Sequence, residues 1–260
     1  MSTRRVRVDV ALVQRGLVDS TDAARVLIDE GVVLANGSVV LTHSRQVAPS
    51  DELLVKVVDQ FVSRGGIKLD AALTAFNIDV SDQRALDAGS STGGFTDCLL
   101  QRGVAEVVAI DVGKSQMHER VATNHRVVVI DAFNVRQLED DVLDLPVSLR
   151  NEFDLVVADL SFISLKSVSR ALTARLSQSG SLVVLVKPQF EAGRIEVSRG
   201  KGVITDPAIH QEACDTVRDA VVDLGGSVLG IIESPIKGAE GNTEFLMYVE
   251  CPTRSVSCES

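Results

Sequence analysis

From Arg84 onward the chain alternates short apolar runs with longer amphipathic segments, and this alternation constrains the fold more than any other feature. The runs are continuous and rich in Val, Ile and Leu, which is typical of parallel strands covered on both faces. Repeated strand–helix alternation predicts a parallel sheet with helices on both sides. We therefore expect an α/β fold with a Rossmann-like sheet of seven strands and one antiparallel strand at the end. The predicted strands lie in RALDAG, EVVAIDVG, RVVVID, FDLVVADLS, SLVVLVKP, SVLGIIESP and TEFLMYVE, and helices between them are predicted over 93–103, 115–124 and 166–180.

The first ~60 residues follow a different pattern, which predicts a small α+β unit of their own. Residues 8–17 and 19–31 indicate two short helices that end at glycines, and Asn36-Gly37 between apolar runs predicts a hairpin. Gly65 and Gly66 then interrupt the pattern before the next helix. We predict a first domain over 1–58, an interdomain linker over 59–65, a second domain over 66–251 and a loose tail over 252–260.

Composition argues against several classes of function. The four cysteines form no CxxC pair and the four histidines fit no metal-ligand spacing, so we expect reduced thiols in a cytoplasmic protein without a bound metal. The longest apolar runs are far shorter than the ~20 residues that a membrane helix needs. The net charge of −10 weighs against a polyanionic partner. Residues 1–66, however, carry eight basic and eight acidic side chains, so a nucleic acid would be bound first through this N-terminal part.

A glycine-rich turn, DAGSSTGG at residues 87–94, joins the first predicted strand of the sheet to its first helix. Ligands of open parallel sheets bind beyond the carboxyl ends of the strands. Gly89, Gly93 and Gly94 would let the main chain approach such a ligand more closely than any residue with a Cβ atom. The spacing differs from the G-x-G-x-x-G of dinucleotide-binding proteins, whose tight turn holds a pyrophosphate.

Polar side chains near the ends of the first three strands indicate which ligand the turn binds. Asp87 could receive a ligand ammonium or order the loop. Asp111 could accept both hydroxyls of a ribose, although an Asp at a strand end is also a common helix cap. Asp131 and Asn134 could read an adenine edge. Together they favour S-adenosylmethionine, which has no phosphate and carries an amino-acid end. The predicted cofactor-binding residues are Asp87, Gly89, Ser90, Ser91, Gly93, Gly94, Phe95, Thr96, Asp111, Asp131 and Asn134.

Two charged residues at neighbouring strand ends could carry chemistry. Asp159 ends the fourth predicted strand and Lys187 ends the fifth, which would place them side by side above the cofactor. A lysine at the end of an apolar run is costly unless it is paired or functional. A purely structural salt bridge between the two is the alternative. By position alone, Lys68 is an ordinary solvated lysine and Glu244 an ordinary acid at a strand edge.

Four blocks, DAGSSTGGFT, VVADLSFISL, LVKPQFEAG and GNTEFLMYV, resemble the TlyA family of ribosomal RNA 2′-O-methyltransferases, some members of which carry the name hemolysin. The segment FVSRGGIKL is similar to the joint between the two domains of that family, and residues 7–37 resemble its ribosomal-protein S4-type RNA-binding fold. The resemblance covers residues 4–250 and implies an FtsJ-like methyltransferase domain. The joint departs from some relatives at Phe61, where they have Trp, and at Ile67, where they have His or Ala.

The resemblance also implies an activity and a set of site residues. It implies methyl transfer from S-adenosylmethionine to cytidine ribose in both 16S and 23S ribosomal RNA. A catalytic Lys-Asp-Lys-Glu group then corresponds to Lys68, Asp159, Lys187 and Glu244 in this sequence. The implied partners are ribosomal RNA or ribosomal subunits, with no membrane and no metal. The predicted RNA-binding residues are Arg4, Arg5, Arg7 and Arg15.

Two other functions remain as alternatives at the level of sequence. RNA base methyltransferases commonly have N/D-P-P-Y/F after the fourth strand, whereas this chain has DLSF, from Asp159 to Phe162. A non-enzymatic, membrane-active hemolysin would need a spanning segment or a helix with a basic and an apolar face, and the sequence shows neither pattern.

Overall fold

The computed structural model describes residues 5–56, 60–192 and 202–251. The chain forms two compact units, Met1–Asp59 and Gln60–Ser260. The predicted loose tail over 252–260 lies outside the described residues. Residues 60–65 of the predicted linker belong to the second unit, and its first helix begins at Arg64.

The first unit is a small α+β fold. Ser20 caps its second helix, because the Ser20 hydroxyl accepts a hydrogen bond from the Ala23 amide at 3.1 Å. Asn36 and Gly37 both have positive φ, as the predicted hairpin requires. Val8, Leu12, Ile28 and neighbouring apolar side chains form its core. Its elements are β1 (Val6–Arg7), α1 (Val8–Gln14), α2 (Thr21–Asp29), β2 (Val33–Ala35), β3 (Ser38–Val39), β4 (Gln46–Val47) and β5 (Leu53–Val55).

The second unit contains the predicted seven-stranded sheet. Its order is β11-β12-β10-β9-β6-β7-β8, and β12 runs antiparallel to both of its neighbours. The predicted α/β fold is therefore confirmed, with the antiparallel strand second from the edge. The strands are β6 (Arg84–Ala88), β7 (Glu106–Ile110), β8 (Val127–Ile130), β9 (Phe153–Ala158), β10 (Leu176–Val186), β11 (Ser227–Glu233) and β12 (Phe245–Glu250).

Helices cover both faces of this sheet, which explains the continuous apolar runs. Leu86 points into one buried cluster and its neighbour Ala85 into another, so β6 is apolar on both sides. The helices are α3 (Arg64–Ala75), α4 (Gly94–Gln101), α5 (Glu119–Ala122), α6 (Ser169–Thr173), α7 (Pro188–Glu191) and α8 (Pro207–Val222). Short 3₁₀ turns cover Val135–Glu139, Val142–Asp144, Val147–Leu149 and Leu165–Ser167.

Two predicted helices are shorter in the structure. The helix expected over 166–180 ends at Thr173, and β10 begins at Leu176, which pairs with Phe153 before a register shift to Ser181. The polar residues at 177–179 look like a helix surface in sequence, but here they lie at the solvated end of a strand. The helix expected over 115–124 is reduced to α5, which begins after His118.

Helix α3 packs on an aromatic residue near the start of the second unit. Phe61 is buried, at 3% exposure, and its ring lies against Gly66. A Cβ atom at Gly66 would overlap that ring, whereas one at Gly65 would make an ordinary contact of 3.5 Å with Phe95. Gly66 thus lets the helix lie on an aromatic side chain from the preceding segment.

We expect Gly66→Ala to destabilise the protein by about 1–3 kcal/mol, because the new methyl group overpacks the Phe61 contact and outweighs the better helix propensity of Ala. Gly65→Ala is the matched control and should change stability by less than about 1 kcal/mol. The free energy of unfolding in urea measures both. Equal effects of the two changes would contradict the packing argument.

Candidate active site

The glycine-rich turn leaves β6 at Ala88 and passes very close to the end of β9. Gly89 has φ +83°, and a Cβ atom there would lie 2.7 Å from the carbonyl oxygen of Asp159. Gly93, with φ +89°, is the residue before α4. Only glycine adopts this backbone at Gly89 without a clash, so the turn and the end of β9 form one surface.

Two adjoining cavities open at this surface, with volumes of about 400 Å³ and 180 Å³. Both are lined by Gly89, Ser91, Asp159 and Ser161. The larger cavity also touches Ile110, Asp111, Val112, Gln116, Phe133, Asn134, Val135, Leu160, Phe162 and Ile163. The smaller cavity also touches Ser63, Gly65, Ser90, Thr92, Gly94, Phe95 and Lys187. The larger chamber is thus mainly apolar with an acid at its edge, and the smaller is mainly polar.

Most of the predicted cofactor-binding residues line these cavities. They are Gly89, Ser90, Ser91, Gly94, Phe95, Asp111 and Asn134. The Asp111 carboxylate is held in place, because it accepts hydrogen bonds from the amides of Ser91 at 2.8 Å and Gly113 at 2.7 Å. Asn134 uses its side-chain oxygen to cap the following 3₁₀ turn.

Four predicted cofactor-binding residues line neither cavity: Asp87, Gly93, Thr96 and Asp131. The exposed Asp131 carboxylate accepts a hydrogen bond from the Ser115 amide at 2.9 Å and so orders a loop. Gly93 shapes the start of α4, and Thr96 is fully buried. The apolar walls were missed at the level of sequence, because strand-end residues such as Ile110 and Phe133 look like ordinary core.

Asp87 is a buried carboxyl that orders the turn from below. Its side chain is 0% exposed and accepts a hydrogen bond from Thr96 Oγ1 at 2.6 Å. Its other oxygen, Oδ1, has no hydrogen-bond partner among the described residues. Burial raises the pKa of Asp87 to about 7. Of the two roles that the sequence left open, the geometry favours ordering of the loop over contact with a ligand.

A lysine–carboxylate pair lies where the two cavities meet. Lys187 Nζ approaches Asp159 Oδ1 to 2.6 Å, and the side chains are 9% and 23% exposed. This contact is an ion pair without hydrogen-bond geometry, and the hydrogen bond of the ammonium goes to Ser161 Oγ at 3.0 Å. As the sequence predicted, neighbouring strand ends bring Asp159 and Lys187 together.

A second lysine–carboxylate pair lies beside the first. Lys68 Nζ donates to Glu244 Oε2 at 2.6 Å, and both side chains are buried. Val186 and Phe245 form the last pair between β10 and β12. Lys187 directly follows Val186 and Glu244 directly precedes Phe245, so both ion pairs lie at the same end of the paired strands β10 and β12. The four residues that the family resemblance implied therefore form two ion pairs, of which Lys187–Asp159 lines the smaller cavity.

The predicted RNA-binding arginines of the first unit differ in how they are held. The Arg7 guanidinium donates a bidentate pair of hydrogen bonds to the buried Asp9 carboxylate, from Nη2 at 2.7 Å and from Nε at 3.1 Å. These hydrogen bonds lower the pKa of Asp9. Arg15 donates to three main-chain carbonyls in residues 48–51. Arg5 is exposed, and Arg4 lies outside the described residues. Arg5 is thus the better placed of these to contact a phosphate.

The described part of the chain contains neither a candidate metal site nor a candidate membrane-spanning helix. Its His, Cys, Asp and Glu residues include no group of three or more that could hold a metal ion. None of its helices has the length and apolar character needed to cross a bilayer.

The buried Asp87 predicts a pH dependence of stability. Its pKa is about 7 in the folded chain and the ordinary carboxyl value when unfolded, so its stabilising contribution is full below pH ~4 and is lost as the pH rises through 7. Between pH 5 and 8 the loss should amount to about 2–3 kcal/mol. Asp87→Asn should remove this slope, whereas Asp223→Asn on the surface should keep it. Urea unfolding at the two pH values measures the difference, and equal slopes in all three proteins would refute the assignment.

Comparison with known proteins agrees with the two units. Residues 61–251 match the FtsJ-like methyltransferase family and residues 6–53 match the S4 domain. A Mycobacterium tuberculosis protein named 16S/23S rRNA (cytidine-2′-O)-methyltransferase TlyA is 42% identical over 96% of this chain and 91% of its own length. Hemolysin A of Brachyspira hyodysenteriae is 34% identical over 94% of this chain and 99% of its own length.

A solved structure shows the same similarity in three dimensions. A hemolysin-named protein from Streptococcus thermophilus superposes with a TM-score of 0.69 at 36% identity, covering 98% of this chain and 92% of that chain. The resemblance drawn from the sequence blocks is confirmed. The chain belongs to the FtsJ-like methyltransferase family and carries an S4 domain at its N-terminus.

Proposed function

We propose that this protein is an S-adenosylmethionine-dependent methyltransferase of the cytidine 2′-hydroxyl in ribosomal RNA, acting on both 16S and 23S RNA in the cytoplasm. The observation that carries the proposal is the Lys187–Asp159 pair, 2.6 Å apart at the junction of two cavities beside the glycine turn. The 42% identity to the relative named for this reaction supports the choice of substrate.

The volumes and lining residues of the two cavities suit S-adenosylmethionine. The 400 Å³ chamber offers apolar side chains such as Phe133 and Ile163 to an adenine, and the Asp111 carboxylate to a ribose. The 180 Å³ chamber offers the main chain of the glycine turn to an amino-acid end. Gly89 lines both chambers and has no Cβ atom that would meet the carbonyl oxygen of Asp159. When bound there, the cofactor would supply an electrophilic methyl group next to Lys187 and Asp159.

The residues of this chain would act mainly by holding the ribose hydroxyl in line with that methyl group. A 2′-hydroxyl is a weak nucleophile, so its position decides the rate. Lys187 Nζ contacts Asp159 Oδ1 and donates to Ser161 Oγ, so the amine is held where it can donate a hydrogen bond to the hydroxyl oxygen. Lys187 therefore orients the hydroxyl. The buried Lys68–Glu244 pair lies at the same end of β10 and β12 as Lys187 and would have a supporting role.

The N-terminal unit would supply the first contacts to RNA. Arg5 and Arg7 are exposed, and the Asp9 contact fixes the direction of the Arg7 guanidinium. Contacts of this kind bind phosphates and position the enzyme without reading sequence. Within this proposal, the domain over 1–58 binds RNA and the domain over 66–251 performs methyl transfer.

Removal of the Lys187 amine tests the proposed chemistry. Lys187→Met should lower methyl transfer to ribosomal RNA by about 10²-fold or more, because the hydroxyl loses its orienting donor. Cofactor binding by calorimetry should survive, and Lys166→Ala, an exposed lysine in the same unit, should retain full activity. The assay incubates separate ribosomal subunits with labelled cofactor and maps 2′-O-methylated positions by reverse transcription. Undiminished turnover in Lys187→Met would contradict the assigned role.

The exposed arginine tests the RNA contact. Arg5→Ala should weaken binding of ribosomal RNA and reduce the slope of log affinity against log salt by about 1, as the loss of one phosphate contact requires. Arg7 is less suitable, because its removal would leave the buried Asp9 without one partner. Arg218→Ala on α8 is the control for loss of a positive charge. An unchanged salt slope in Arg5→Ala would remove Arg5 from the interface.

A further inference from the structure

The segment that forms the outer wall of both cavities contains a strained turn. Residues 159–163 follow β9, and all five line the larger cavity. Phe162 has φ +64°, a left-handed conformation that costs about 1–3 kcal/mol in a residue other than glycine. Its side chain is 92% exposed, so burial does not hold it there. Such a turn persists only where its surroundings fix it.

Helix α7 supplies the contacts that fix this segment. The Glu191 carboxylate accepts hydrogen bonds from Ser164 Oγ at 2.6 Å and from the Leu165 amide at 2.7 Å. These are the first residues after the strained turn, and Leu165 begins a 3₁₀ turn. The Phe190 ring, one residue before Glu191, lies 5.4 Å from the ring of Phe162. Thus α7 holds the segment both at its exposed ring and at its far end.

The same short helix is continuous with Lys187, which precedes Pro188 at its start. Ser161, inside the segment, bonds Lys187 Nζ at 3.0 Å. Glu191 therefore ties together the two strand-end loops that bring Asp159 and Lys187 into contact. Burial raises the pKa of the Glu191 carboxyl, and the hydrogen bonds from Ser164 and Leu165 oppose that shift.

We propose that Glu191 is a positioning residue for the methyl-transfer site. Its carboxylate holds the turn at Phe162 so that Ser161 Oγ meets Lys187 Nζ and the outer wall of the cofactor cavity stays in place. The kinetic part of this inference rests on the proposed function, whereas the effect on the turn does not. Glu191 contacts neither cavity and acts through Ser164 and Leu165.

The chain has no tryptophan, so a single substitution provides a local reporter. Phe162→Trp places one fluorophore on the strained turn, and its time-resolved anisotropy reports the mobility of the segment without RNA or cofactor. In this background Glu191→Ala should increase the amplitude of fast depolarisation about twofold. Glu191→Gln should not, because its amide oxygen can accept from Leu165 and its amide nitrogen can donate to Ser164. Glu212→Ala, an exposed glutamate on α8, is the matched control.

Steady-state kinetics of variants that keep Phe162 distinguish a loss of positioning at the site from a general loss of stability. Glu191→Ala should lower kcat about tenfold or more and change KM for S-adenosylmethionine less than about threefold, and Glu191→Gln should restore kcat to within about threefold. Ser164→Ala removes only the hydroxyl that donates to Glu191. It should give values of kcat and anisotropy between those of the wild type and Glu191→Ala, so it tests the proposal even if Glu191→Ala does not fold. Wild-type anisotropy and kcat in Glu191→Ala, or a Glu191→Gln variant as impaired as Glu191→Ala, would overturn the proposal. If the wild-type protein does not methylate ribosomal RNA, the proposed function fails while the anisotropy still decides the role of Glu191.

Discussion

The close approach of the main chain at Gly89 to the carbonyl of Asp159 is the constraint on which the rest of the site depends. These residues follow β6 and β9, which are hydrogen-bonded neighbours in the sheet. A side chain at Gly89 would force the two strand ends apart, because its Cβ would come within 2.7 Å of that carbonyl oxygen. The two cavities would then lose their shared wall. A single missing methyl group thus keeps an apolar chamber, a polar chamber and the Lys187–Asp159 pair on one surface.

Burial fixes the geometry of the two lysine–carboxylate pairs, and it also costs free energy because the charges lose water. Each charge is desolvated, and loss of one partner of a buried pair typically costs about 3–5 kcal/mol. The Lys68–Glu244 contact is almost closed to solvent, whereas Asp159 remains 23% exposed. The first pair therefore suits a supporting role and the second suits contact with a substrate. Lys68 is held from helix α3 and Lys187 from the end of β10, and each ammonium contacts a single carboxylate.

The outer wall of the site, residues 159–163, is held by different contacts from the strand ends that form the floor of the site. Strand ladders fix the floor, but the segment after β9 has left the sheet and contains a left-handed phenylalanine. Its order depends on side chains of α7, which is only four residues long. Glu191 and Phe190 make their contacts from successive positions of that helix. Through these contacts, helix α7 links the loop that contains Ser161 to the loop that contains Lys187.

The sequence alone determined the class of sheet, the strands that build it, the glycine turn and the pairing of Asp159 with Lys187, whereas Lys68 and Glu244 were singled out only by the resemblance to a known family. These features depend on local patterns: continuous apolar runs, turn residues and charges at strand ends. Tertiary structure decided that Asp87 lies beneath the cavity, that β10 begins at Leu176 and that Glu191 supports the outer wall. It also joined Lys68 to Glu244 across 176 residues of chain. Such contacts depend on strand order and on which atoms lose water when the layers pack, and neither is encoded within a few neighbouring residues.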